Sequence, residues 1–115
     1  AVAGLREQGS LLKVQASFRR LRGVTMAHLH LGAEGENGPV VASLLPEDLS
    51  ELSRRERRKL RFYLQSRLTA QDLVGPLSGQ PLDALARAIE DGNVYVNIHT
   101  ERNPSGELRG QLKLY

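Results

Sequence analysis

The sequence predicts an all-β fold, an antiparallel Greek-key β-sandwich with short helices in its connections. Three observations carry that reading. Apolar and polar residues alternate over many short runs, the runs are separated by Gly-, Pro- and Asn-containing turns, and only one segment shows a clear helical period. At 115 residues the chain suits one domain with a single core, so residues 1–115 are read as one unit.

From the N-terminus, Gly4 to Phe18 reads as two strands joined at Gln8-Gly9-Ser10. Val14, Ala16 and Phe18 alternate with Gln15, Ser17 and Arg19, as a strand with one wet face requires. Leu21 to Val24 turns the chain into a strand through Ala27-His28-Leu29-His30-Leu31, and the glycine-rich stretch Gly32 to Pro39 leads into a short strand at Val40 to Leu44. That stretch lacks the Lys-Ser/Thr ending of a phosphate loop and is not followed at once by a helix.

Ser53-Arg54-Arg55-Glu56 fits a capping box, which predicts a helical turn through the basic run and a strand over Phe62 to Leu68. Thr69-Ala70-Gln71-Asp72 is a second such box, expected to open a short turn that Gly75-Pro76 ends. Leu82, Leu85, Ala86 and Ile89 then recur at helical spacing behind Pro81, with Gly92 where a helix C-terminus favours it. Asn93 to Thr100 alternates again. Asn103-Pro104-Ser105-Gly106 is a turn signal, and Leu108 to Tyr115 is expected to run back as one final strand.

The charge is local. Residues 54–61 hold six cations and one anion, a net +5 against +3 for the whole chain, so the rest is slightly acidic. No aromatic interleaving accompanies this patch, which argues against specific nucleic-acid binding and leaves a solvated face or weak attraction to anionic polymers or lipid surfaces. No apolar run approaches the ~20 residues that span a bilayer. Without cysteine, neither a disulfide framework nor a thiolate site can form. A chain opening at Ala1 rather than Met is expected to be processed or excised.

The chemistry points to histidine. His28, His30 and His99 are the only three, and all lie in predicted strands. Alternation sends His28 and His30 from one face while Ala27, Leu29 and Leu31 leave the other; imidazoles at i and i+2 stand roughly 6–7 Å apart along the strand, close enough to share an ion. Tyr95, Asn97 and His99 likewise face away from Val94, Val96 and Ile98. Neighbouring strands would bring the three imidazoles together.

The segments Ala27-His28-Leu29-His30-Leu31-Gly32, Gly35 to Val41, Tyr95 to Thr100 and Asn103 to Leu112 resemble the CHRD domain, known from chordin and from bacterial exported proteins. The resemblance covers roughly residues 3 to 114. It implies an extracytoplasmic β-sandwich similar in outline to Cu/Zn superoxide dismutase, with family histidine positions falling on His28, His30 and His99. Two departures stand out. CHRD domains usually begin with a strand ahead of the segment matching Ala3-Gly4-Leu5, and residues 50 to 61 look like an insertion.

Three neutral imidazoles suit copper, zinc or nickel, and copper(II) leads the affinity order for such nitrogen sites, with zinc the alternative. Tyr95, Asn97, Glu107 and Arg109 are the residues expected around the ligands: Tyr95 and Glu107 as a fourth ligand or an orienting partner, Glu107 with Arg109 otherwise as an ion pair. Three functions remain open: a copper-binding exported protein, an interaction module with a structural metal or none, and a copper-dependent redox enzyme. The absent first strand predicts an open edge near residues 4 to 8 that would pair with a second copy or a partner strand.

Overall fold

A computed structural model describes all residues from Ala1 to Tyr115. The strands are β1 (Val2–Arg6), β2 (Leu11–Ser17), β3 (Val24–Leu31), β4 (Val40–Ser43), β5 (Tyr63–Leu68), β6 (Val94–Thr100), β7 (Leu108–Gln111) and β8 (Lys113–Leu114), with helices α1 (Arg54–Lys59) and α2 (Leu82–Glu90). They form two four-stranded sheets, ordered β5-β2-β1-β8 and β4-β3-β6-β7. The all-β sandwich read from the alternation is the fold observed.

Alternation builds the core between the sheets. Leu12, Val14 and Ala16 of β2 and Leu64 and Leu68 of β5 are buried from one side, and Ala27, Leu29, Val94, Val96 and Ile98 from the other. Each fully buried Leu or Val contributes roughly 1.5–3 kcal/mol, so this layer, rather than any single polar contact, holds the sheets together. The helix α2 adds Leu82, Leu85 and Ile89 to the same interior and buries Ala86 beside them on its own surface, as its period requires. Ser53 accepts from the Glu56 amide while the Glu56 carboxylate accepts from the Ser53 amide, closing the predicted box at the start of α1. None of the residues in α1 is buried, so the basic helix is a solvated face.

The first hairpin forms where it was expected, and two other local expectations are corrected. The first hairpin turns through a 3₁₀ segment at Glu7–Gly9, with Gln8 itself at positive φ. Beyond the capped turn at Ala70–Asp72, Gly75 and Pro76 open another short 3₁₀ turn at Gly75–Leu77 instead of simply ending the first. The C-terminal strand is two strands: β7 pairs antiparallel with β6, then the chain crosses at buried Leu112 and β8 pairs parallel with β1. That crossing brings β8 against the start of β1, where it pairs with Val2 and Ala3 and the Tyr115 amide donates to the Ala3 carbonyl; Gly4, Leu5 and Arg6 pair with β2 alone, so the open edge expected near residues 4 to 8 is not covered by β8. The outer strands are β5 and β8 in this sheet and β4 and β7 in the other.

The second sheet positions the histidines. In β3 and β6, His28 pairs with Asn97, His30 with Tyr95 and Met26 with His99, all in one continuous antiparallel register. Two bulges accompany this stretch, one at its start in the β3–β6 pairing between Val24 and Met26 and one within it in the β3–β4 pairing between Leu29 and His30. Such irregularities bend and twist a strand and re-aim its side chains.

Candidate metal centre

Directly paired residues on antiparallel strands share a face, so the register puts Met26, His28 and His30 of β3 on the same side as Tyr95, Asn97 and His99 of β6. Val96 and Ile98 hold the opposite side of β6 in the core, which fixes that choice: a one-residue slip would bury the imidazoles and expose the core. One nitrogen from each of His28, His30 and His99 lies within 4.8 Å of the others, a separation that lets them bind one ion. The ring centroids of His28 are 6.0 Å from His30 and 5.2 Å from His99, with the planes of each pair steeply inclined at 81° and 75°.

Backbone carbonyls fix two of the rings. The Nδ1 of His99 lies 2.6 Å from the Pro104 carbonyl and the Nδ1 of His30 lies 2.9 Å from the Gly38 carbonyl. A carbonyl only accepts, so both Nδ1 atoms carry the proton and both Nε2 atoms present lone pairs. This is the outer arrangement that metal-binding imidazoles use to lock tautomer and orientation. The Nε2 of His30 is buried and has no hydrogen-bond partner. Leaving such an acceptor unsatisfied costs about 1–3 kcal/mol, a cost an ion would remove. The Nδ1 of His28 makes only a long 3.4 Å contact with the Nε2 of His99, so in the metal-free form His28 donates to that lone pair. Burial first, then the fields of His99 and His30, hold His28 below the usual histidine range. His28 therefore favours its neutral form, the form that ligates.

A family model described as the CHRD domain matches residues 1–112. The chain belongs to the CHRD family. No curated protein and no solved structure matches it.

In this CHRD domain the residues expected around the ligands take different parts. Tyr95 is buried, its ring stacked on His30 at 4.9 Å with an 8° interplanar angle, and its hydroxyl accepts from the Gly38 amide at 3.1 Å. Arg109 lies over the same ring, its guanidinium carbon 3.5 Å from the centroid. Because β6 runs between β3 and β7, the imidazole and the guanidinium reach Tyr95 from opposite sides. Arg109 also donates to the Asn37 side chain and to the Ala33 and Glu36 carbonyls. It ties the glycine-rich loop to the sheet rather than pairing with Glu107.

Glu107 is committed to the turn. Its carboxylate accepts from the Thr100 hydroxyl at 2.7 Å and the Asn103 side chain at 3.0 Å, and these bonds hold it below the usual carboxylate range. It stabilises the loop whose Pro104 carbonyl orients His99, and it is not a ligand candidate in this arrangement. Asn97 reaches the same loop, 3.5 Å from the Ser105 carbonyl, and packs where a Cβ on Gly106 would stand.

The sequence reading found the three rings but missed their backbone anchors, the Gly38 and Pro104 carbonyls. A carbonyl has no letter in a sequence. The available signal was the pair of turn-rich segments, Gly32 to Pro39 and Asn103 to Gly106, following the two histidine strands. Gly38 is required there for a physical reason, since a Cβ at that position would overlap the Leu31 carbonyl.

Proposed function

We propose that this CHRD domain is an extracytoplasmic metal-binding domain holding one copper ion through His28, His30 and His99. The buried, unpartnered Nε2 of His30, in a ring already fixed from its other nitrogen, supports this reading most strongly. Three neutral imidazoles with no thiolate available favour copper(II) in the nitrogen-ligand affinity order, with zinc next in consideration because three histidines and an open position also suit it. The extracytoplasmic assignment follows the general use of CHRD domains in exported and extracellular proteins, and no helix here is long and apolar enough to cross a membrane.

Competitive titration against chelators of known affinity tests the reading. The wild-type chain is expected to take up one equivalent of copper(II), more tightly than zinc. His30→Ala removes a ligand and its carbonyl anchor together, and is expected to reduce copper affinity by at least about a hundredfold, ~2.7 kcal/mol. Copper uptake by His30→Ala as tight as in the wild type would reject the site.

A further inference from the structure

The three-imidazole face carries a fourth donor. Met26 is the only methionine in the chain and lies two residues before His28 on the same side of β3. It is the register partner of His99, and paired residues hold their Cβ atoms about 4.5–5.5 Å apart on a shared face. Continuous β3–β6 pairing stops at this pair, since the bulge between Val24 and Met26 follows at once. Met26 therefore stands at the end of the ordered histidine face, beside His99 and one strand step from His28.

Its exposure is informative. At 45 % exposed, Met26 contributes little to the core, whereas its neighbour Ala27 is fully buried. An unbranched side chain with three rotatable bonds can swing its sulfur over the adjacent rings. Thioether sulfur is a soft donor that favours copper(I), whereas the imidazoles also serve copper(II).

We propose that Met26 supplies a thioether ligand to the ion held by the histidines, so that the centre retains copper in its reduced as well as its oxidised state. The inference rests on the three-histidine reading and adds the donor that sets preference between oxidation states. It makes the occupant of the site a copper ion in either state, and it makes zinc, which gains least from a thioether, a poorer fit.

X-ray absorption and chelator competition on the anaerobically copper(I)-loaded chain test it. The wild type is expected to show a sulfur scatterer beside nitrogen, and Met26→Leu, which keeps the volume of an exposed side chain, is expected to show nitrogen alone. Met26→Leu is expected to lose at least about tenfold in copper(I) affinity, ~1.4 kcal/mol, while copper(II) affinity changes by less than about threefold. Nitrogen-only scattering in the wild type, or equal copper(I) affinity in Met26→Leu, overturns the thioether ligand while leaving the histidine site standing. Failure of the wild type to bind either copper ion overturns both.

Discussion

At the scale of single residues, the centre is a set of protonation choices made in advance. The Pro104 and Gly38 carbonyls hold protons on the Nδ1 atoms of His99 and His30, so two lone pairs converge without reorganisation. His28 is the ring that must change, giving up its contact with His99 to present a lone pair. Its lowered pKa has a consequence for stability. The unfolded chain takes up a proton near the ordinary value of 6.5 while the fold resists it, so the metal-free fold is expected to lose stability as pH falls from about 7 through that value. Glu107 has the opposite charge type. Its depressed pKa stabilises the fold above the ordinary value of 4.5, and that contribution is lost on further acidification. Denaturation midpoints measured against pH separate the two: His28→Asn is expected to flatten the step near pH 6.5 and leave the one below 4.5. A profile for His28→Asn identical to the wild type would show that the histidine cluster carries no such linkage.

At the scale of elements, strands supply rings and turns supply anchors. The turn after β6 is held by the Gly106 amide donating to the Asn103 carbonyl and by the Glu107 clamp on Thr100 and Asn103. Gly106 sits at φ +133°, and a Cβ there would strike the Asn97 side chain. Gly106→Val is therefore expected to destabilise the fold by about 1–3 kcal/mol through backbone strain, and to lower copper affinity by about 10–100-fold as the Pro104 carbonyl shifts from His99. Lost stability with unchanged copper affinity would show that this turn does not position the ring. The sequence made the strands legible because period-2 alternation reports burial directly: Val14, Ala16, Ala27, Leu29, Val94 and Val96 all face the core as read. It misled where a side chain on the polar face is buried by other means, as with Tyr95 beneath His30 and Arg109. It left the role of Glu107 open, because that residue's partners depend on how a turn folds rather than on strand parity.

At the scale of the whole molecule, a sandwich core presents a rigid histidine face. The strands β3 and β6 are neighbours although 62 residues separate Leu31 from Val94, and the intervening chain crosses to the other sheet and back. Alternation could place each histidine on a face, but only this long-range pairing makes the faces coincide. The same kind of non-local contact, the crossing from β7 to β8, adds a parallel partner to the start of β1 at Val2 and Ala3. The central claim is that one ion sits among His28, His30 and His99. The direct measurement is metal content and X-ray absorption of the copper(II)-loaded chain beside the triple variant His28→Ala/His30→Ala/His99→Ala. One copper per chain, with imidazole nitrogen scattering near ~2.0 Å, is expected for the wild type and none for the triple variant. Equal copper uptake by the triple variant, or a wild-type spectrum without imidazole scattering, would contradict the account.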